Sequence, residues 1–231
     1  MHNLSVIIPV YNEEKTIHTI LKKVSELKYK DIDLEVIVID DGSTDGTLNI
    51  LKSNTNLYEK LIENGSNRGK GYSVKEGIKN SNGNYIIFQD ADLEYDPEDF
   101  LKFFKIINRF NPDLIIGSRL NYSDYTRSHN ILNKFGNKLI TLVFNLVYNT
   151  TFTDIYSCYA CYKKNLFNAE SLKSEGFDQQ AEILSKVVKN GKLFYEIPIN
   201  YNGRTHEEGK KIKFYHIFSV FYQILKNRVI S

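Results

Sequence analysis

Residues 34–45 read Leu-Glu-Val-Ile-Val-Ile-Asp-Asp-Gly-Ser-Thr-Asp. The run Leu34–Ile39 is short, apolar but for Glu35, and rich in β-branched residues, the pattern of a strand covered on both faces. Two aspartates, a glycine and hydroxyl residues follow at once, where such a strand ends and a helix begins. The same grammar recurs outward from this point. Leu4–Pro9 is a second continuous apolar run. Between the two, Ile17, Ile20, Leu21, Val24 and Leu27 recur at helical spacing, which predicts a helix over Asn12–Leu27 capped by Asn12 or Thr16. Downstream the pattern predicts helix Thr44–Leu51, short strand Tyr58–Glu63, helix Gly71–Lys79, strand Tyr85–Gln89, helix Pro97–Phe110 and strand Leu114–Gly117. Strands alternating with helices imply an α/β fold with a mostly parallel sheet and right-handed crossovers. After Arg119 the pattern changes to a polar loop (Leu120–His129), a long helix (Ile131–Tyr148), a helix (Asp178–Asn190), a strand (Leu193–Ile199), a charged loop (residues 202–213) and a last aromatic-rich helix (Ile217–Leu225).

The chain has 231 residues, 42% of them apolar and 25% charged, so it builds a real core, and disorder, collagen-like repeats and coiled coil are excluded as its main organisation. One domain over 1–231 is expected, with no internal repeat or long linker. The net charge of +2 speaks against a nucleic-acid-binding surface. Basic charge gathers at one end: residues 204–231 hold six Lys or Arg against Glu207 and Glu208. Cys158 and Cys161 form a lone C-x-x-C. A structural zinc site needs four ligands, so the expectation is two reduced, mostly buried thiols in a reducing, cytoplasmic setting. The N-terminus lacks a basic leader and reads as a strand rather than a signal peptide. The most apolar run, Leu139–Tyr148, is about half the length a transmembrane helix needs.

Open parallel sheets bind ligands at the carboxyl ends of their strands. Three polar clusters fall there: Tyr11-Asn12-Glu13-Glu14, Asp40-Asp41-Gly42-Ser43, and Asp90-Ala91-Asp92-Leu93-Glu94. Helix capping explains one such cluster, but three crowd carboxylates at one edge, which is unfavourable without a compensating cation. If 90–94 is extended, Asp90, Asp92 and Glu94 share a face while Ala91 and Leu93 point to the core. Hard oxygen ligands with open positions suit Mg²⁺ or Mn²⁺ held jointly with a diphosphate. Residues 65–71 (GSNRGKG) lack the P-loop pattern, and PVYNEE after the first strand lacks G-x-G-x-x-G, which excludes the P-loop and dinucleotide-binding readings.

Taken together, VIIPVYNE (6–13), VIDDGSTD (38–45), NRGKG (67–71) and DADL (90–93) resemble the family 2 glycosyltransferases of GT-A (nucleotide-diphospho-sugar transferase, Rossmann-like) fold. Gly117-Ser118-Arg119, Asp154, the stretch Phe177–Glu182 and Ile197–Tyr201 with Arg204 narrow the likeness to polyprenyl-phosphate hexose synthases, of which dolichol-phosphate mannose synthase is the best known. The resemblance covers about residues 4–215, nearly the whole chain. It implies a donor-binding half, 1–119, and an acceptor-binding half, 120–231. It assigns nucleotide-sugar contacts to Pro9, Tyr11, Asn12, Glu13, Asp40, Asp41, Gly42, Lys70, Asp90, Ala91 and Asp92. The metal falls to Asp90, Asp92 and Glu94, catalysis to Asp92, Arg119, Asp154, Glu182 and Arg204, and the acceptor phosphate to Arg119, Arg127, Arg204 and Lys211. Arg suits phosphate because its planar fork binds two oxygens.

The implied reaction is inverting transfer of a hexose from a nucleotide sugar, of UDP-glucose or GDP-mannose type, with Mg²⁺ or Mn²⁺. A polyprenyl phosphate acceptor is already ionised and needs no strong base. A glycan hydroxyl acceptor needs one, with Asp154 and Glu182 the candidates. A non-catalytic nucleotide-sugar-binding subunit is the reading from another class, and the mutually repelling Asp90 and Asp92 speak against it. Relatives acting on lipid phosphates often carry transmembrane helices after the catalytic part, whereas this chain ends at Ser231. The helix over Ile131–Tyr148 and the basic C-terminal segment fit peripheral contact with the cytoplasmic face of a membrane; packing on the sheet or a homodimer contact is the alternative. His206, two residues after Arg204, is a further candidate for phosphate.

Overall fold

The structure, a computed structural model, describes residues 2–121, 124–127, 131–176, 178–204 and 216–229. Seven strands form one sheet: β1 (His2–Val10), β2 (Ile32–Asp40), β3 (Lys60–Glu63), β4 (Tyr85–Phe88), β5 (Leu114–Ser118), β6 (Ala160–Lys163) and β7 (Phe194–Pro198). Their order is β3-β2-β1-β4-β6-β5-β7. β1 lies parallel to both β2 and β4, and β2 to β3. β6 runs antiparallel between β4 and β5, and β5 pairs in parallel with β7.

The helices are α1 (Ile17–Glu26), α2 (Thr47–Ser53), α3 (Lys70–Asn80), α4 (Phe100–Phe110), α5 (Ile131–Tyr148), α6 (Gln179–Asn190) and α7 (His216–Val229). The continuous apolar character of β1 has its expected cause: Leu4, Val6, Ile7 and Ile8 are wholly buried, each contributing roughly 1.5–3 kcal/mol relative to an exposed side chain. α3 approaches this sheet closely because Gly77 faces it; a Cβ there would sit 2.5 Å from Ile7 Cγ2 and 2.9 Å from Ile39 Cδ1. Asp96 caps the start of the α4 region by accepting from the Glu98 N–H. Pro97–Asp99 forms a single 3₁₀ turn before the α-helix proper.

Two expectations change. α1 starts at Ile17, not Asn12, because residues 12–14 are bonded to the loop after β2. β6 has no counterpart in the periodicity reading. Cys161 lies on it, and both cysteines are free and buried. Burial, then the neighbouring Asp90, pushes the Cys158 thiol well above its usual range. Among the described residues, no helix is long and apolar enough to cross a membrane.

Candidate active site

The loops after β1 and β2 clasp each other. The Asn12 N–H donates to Ser43 Oγ (3.1 Å), Asn12 Oδ1 accepts from the Thr44 N–H (2.8 Å), and the Glu13 N–H donates to Thr47 Oγ1 (2.9 Å). Asn12 adopts φ 53° to do so. Asp40 is buried and turns the chain by accepting from the Ser43 N–H at 3.1 Å. Gly42, at φ +72°, lies where a Cβ would meet the Ser66 backbone at 2.5 Å. These three residues shape the loops, and none of them lines the cavity described next.

That cavity, about 520 Å³, opens at the carboxyl ends of β1, β2 and β4, within the roughly 300–1,000 Å³ usual for small-molecule sites. Pro9, Tyr11, Glu13, Asp41 and Lys70 line one part of it, with Asp90, Ala91, Asp92 and Glu94 beside them. Asp41 is nearly saturated: Oδ1 accepts from Asn64 Nδ2 (2.8 Å) and the Arg68 N–H (3.0 Å), and Oδ2 from the Gly69 N–H (2.9 Å). It therefore holds the loop that leads into α3.

The acids at 90–94 do not lie on an extended strand. The segment turns, Leu93 takes φ 61°, and its side chain is 37% exposed instead of pointing to the core. The carboxylates nevertheless gather, through Arg204. Its guanidinium reaches Asp92 Oδ2 at 2.8 Å and Glu13 Oε1 at 3.3 Å, with Glu94 Oε1 3.6 Å from Nε. Glu94 also accepts from the Arg204 N–H and from Tyr201 Oη, both at 2.7 Å. Lys70 Nζ sits 2.5 Å from Asp90. Burial pushes the Asp92 carboxyl up to about 7, aided by Asp90 and Glu94 and opposed by Arg204. Burial works against the Lys70 ammonium, but Asp90 outweighs it and holds the proton firmly.

Among the described residues, the four carboxylates Glu13, Asp90, Asp92 and Glu94 thus gather around the side chains of Arg204 and Lys70, a corner with room for a divalent ion. The donor set is all hard oxygen, which suits Mg²⁺ or Mn²⁺. No three His, Cys, Asp or Glu side chains among the described residues form a ready metal cluster.

Arg119, which also lines the cavity, forms a second unit with Asp154. Arg119 gives Nε and Nη2 to the two Asp154 oxygens (2.7 and 2.9 Å), Nη2 also to Tyr156 O (3.0 Å) and Nη1 to Tyr95 Oη (3.2 Å). Its guanidinium lies 5.1 Å from the Tyr201 ring centroid. Asp154 is wholly buried beneath it and does not line the cavity. Glu182 is also buried, accepting from the N–H groups of Lys173 (3.0 Å) and Ser174 (2.8 Å). Neither carboxylate is placed to take a proton from a ligand in the cavity, because each is occupied by the chain around it. Arg127 also lies off the cavity; its Nη1 donates to Gly203 O (3.1 Å) and its N–H to Tyr201 O (2.9 Å). Lys211, His206 and the charged loop beyond Arg204 lie outside the described residues.

Several lining residues escaped the sequence reading. Tyr95, Tyr156 and Ser157 come from segments without periodicity, Cys158 reads from sequence only as a buried thiol, and Gln179, Gln180 and Tyr201 fall within the stretches Phe177–Glu182 and Ile197–Tyr201 that carried part of the resemblance without being assigned a role. The buried Gln89 fixes the acidic turn from behind: Nε2 donates to Asp90 O (2.9 Å) and Oε1 accepts from Tyr159 Oη (2.6 Å).

The cavity lies at the carboxyl edge of the sheet, where open α/β sheets bind their ligands. The sequence matches the family model described as Glycosyl transferase family 2 over residues 5–169, well over half the chain. It is 28% identical over 203 residues to Glycosyltransferase AglJ of Haloferax volcanii, covering 86% of this chain and 63% of that protein. It is 30% identical over 202 residues to the uncharacterized protein MJ1222 of Methanocaldococcus jannaschii, covering 84% and 79%. A second uncharacterized protein of that organism, MJ0544, is 34% identical over 155 residues, covering 63% and 64%. The chain thus spans just under two thirds of the length of AglJ and of MJ0544. Among solved structures, glucosyl-3-phosphoglycerate synthase of Mycobacterium tuberculosis, in complex with Mn²⁺, UDP and phosphoglyceric acid, superposes with a TM-score of 0.73 at 17% identity, covering 100% of this chain and 80% of that one. The chain belongs to glycosyl transferase family 2 and has the GT-A fold.

Proposed function

We propose that this protein is a metal-dependent inverting glycosyltransferase that moves a hexose from a nucleotide sugar to a polyprenyl phosphate. The observation that carries the reading is the corner where Glu13, Asp90, Asp92 and Glu94 meet Arg204 and Lys70 inside one cavity. Asp90, Asp92 and Glu94 would hold Mg²⁺ or Mn²⁺, which when bound neutralises charge on the departing diphosphate. Lys70 and Arg204 supply fixed positive charge at the same place, already oriented before reaction. The acceptor oxygen attacks the anomeric carbon as the bond to the diphosphate oxygen breaks, inverting configuration.

Two observations favour a phosphate acceptor over a glycan hydroxyl. A hydroxyl needs a base, and the two carboxylates considered for that role are committed elsewhere. A phosphate oxygen is ionised at neutral pH and needs only to be positioned. The second observation is the outer surface of α5 and α7. Ile131, Phe135, Leu142 and Leu146 form one exposed apolar stripe, and Phe218, Tyr222, Leu225 and Val229 another. The two helices also carry Lys134, Lys138, Lys226 and Arg228 and no acidic residue. Exposed apolar stripes on helices with basic charge fit the surface of an anionic membrane, where a lipid phosphate resides.

Asp41 favours a uridine donor. A carboxylate offers about four lone-pair positions, and three are taken. Uracil has a single N–H to offer the last one, whereas guanine has three. UDP is accordingly expected to bind more tightly than GDP, by roughly tenfold.

The test is product formation by purified protein with UDP-glucose or GDP-mannose, a short polyprenyl phosphate and Mn²⁺. Transfer that depends on the metal and is lost in Asp92→Ala is expected. No turnover of either sugar nucleotide with Mg²⁺ or Mn²⁺ would overturn the proposal and leave a binding subunit.

A further inference from the structure

Glu182 stands in the first turn of α6, is 2% exposed and does not line the cavity. Burying a carboxylate is costly unless it is paired and hydrogen-bonded. This one is spent on backbone: it accepts from the Lys173 N–H at 3.0 Å and from the Ser174 N–H at 2.8 Å. Lys186 Nζ, one turn further along α6, is more distant at 3.8 Å. Residues 173–175 belong to no helix or strand, so these charge-assisted bonds decide where that strap of chain lies.

The strap crosses the start of α3. Glu175 O accepts from the Gly71 N–H at 2.8 Å. Two glycines permit the approach: a Cβ at Gly69 would lie 2.5 Å from Glu175 O, and one at Gly71 would lie 2.6 Å from Glu175 C. On the opposite side, Asp41 accepts from the N–H groups of Arg68 and Gly69 at 3.0 and 2.9 Å. Lys70 is the residue between the two glycines. Its backbone is gripped by Asp41 before it and by the strap after it, and its Nζ reaches Asp90 at the acidic corner.

This grip matters because a lysine is a point charge on a flexible four-carbon stem. Such a charge stabilises a departing anion best when it is oriented before the reaction begins. A misplacement of about 1 Å, arising far from the chemistry, is enough to cost about a hundredfold in rate.

We propose that Glu182 is a positioning residue for Lys70: through the strap at 173–175 it fixes the Gly69–Gly71 backbone and so holds the ammonium at the diphosphate corner. This rests on the donor reading of the cavity, and it makes the buried acid of α6 act on that corner from outside it.

Two measurements are read together: hydrogen exchange at the Gly71 amide by NMR, and calorimetric titration of UDP and of GDP with Mn²⁺. The proteins are the wild type, Glu182→Ala, Glu182→Gln, Lys70→Met, and each Glu182 variant combined with Lys70→Met. Lys70→Met should weaken the nucleoside diphosphate by at least roughly tenfold. Glu182→Ala should speed exchange at Gly71 at least about tenfold and weaken the diphosphate by roughly three- to tenfold. Glu182→Gln keeps one acceptor oxygen and should restore part of both. With Lys70→Met already present, either Glu182 change should cost no further affinity, because the two residues act as one unit. Should Glu182→Ala fail to fold, Glu182→Gln supplies the same cycle. Exchange at Gly71 that matches the wild type, or affinity losses that add in the double variants, would overturn the positioning role. A wild type that binds neither diphosphate, or a Lys70→Met protein that binds them undiminished, would instead overturn the donor reading of the corner, and with it the placing of Lys70 at a diphosphate.

Discussion

Asp154 offers the clearest separation between a catalytic and an architectural acid. It has no exposed surface and accepts three hydrogen bonds from Arg119: from Nε at 2.7 Å, Nη2 at 2.9 Å and the N–H at 3.1 Å. Asp154→Ala leaves a buried guanidinium without its counter-charge, and breaking such a pair costs about 3–5 kcal/mol. For a chain of 231 residues, each kcal/mol lowers the midpoint by roughly 2–4 °C, so a fall of about 6–20 °C is expected. Asp154→Asn keeps one acceptor oxygen and should lose less. The assay is thermal unfolding followed by circular dichroism at one protein concentration, with Glu98→Ala on the surface as a control. Replacing both partners with apolar residues, as in R119M/D154L, should cost less than the two single changes summed. An Asp154→Ala protein that melts with the wild type but has lost transfer would refute this and return Asp154 to the role of base.

Asp92→Ala should weaken Mn²⁺ binding in the presence of UDP by at least about tenfold, as read by the electron paramagnetic resonance signal of free Mn²⁺, since even residues behind a metal ligand are worth that much. Leu146→Glu and Phe218→Glu place charge on the exposed stripes of α5 and α7 and should abolish cosedimentation with phosphatidylserine vesicles while leaving the melting temperature unchanged. High salt should release the wild type from those vesicles, because each Lys or Arg near the surface contributes about 1 kcal/mol electrostatically. Asp113 has a carboxyl held below its ordinary 3.8: burial opposes this, and the N–H groups of Lys192 and Leu193, with Lys163, prevail. Its stabilisation is present above pH 3.8 and lost as pH falls through the lower folded value. Asp113→Asn should therefore flatten that part of the acid limb in urea titrations taken at successive pH values.

The parts of this fold legible in the sequence are those in which one local pattern decides the outcome. β1, β2 and β4 are covered on both faces, so their residues read as apolar runs. β6 is four residues long, Ala160–Lys163, and follows an irregular segment; it exists because β4 and β5 both offer it an antiparallel edge, which no local pattern records. The acidic clusters were visible because polar residues follow each strand at once. Their partners were not. Arg119 reads as a phosphate ligand and does line the cavity, but that Asp154, 35 residues later, occupies its fork is not legible locally. Likewise Asp41 and Asn12 sit in the expected loops, but much of their bonding capacity goes to neighbouring backbone. Leu93 was expected to point inward because the segment was read as extended, and its positive φ reverses that.

The strap over residues 200–204 has a consequence for how the acidic corner is assembled. It is pinned to the acidic turn by the Asn202 N–H on Glu94 O and the Asn200 N–H on Asp99, and Arg204 meets Asp92 across 112 residues of sequence. During synthesis the acids therefore emerge long before the guanidinium that balances them. A nascent chain, or one clipped by a protease ahead of Asn200, would keep Lys70 beside Asp90 but leave Glu13, Asp92 and Glu94 without Arg204. The acidic turn is thus completed by the far end of the described chain, through Arg204.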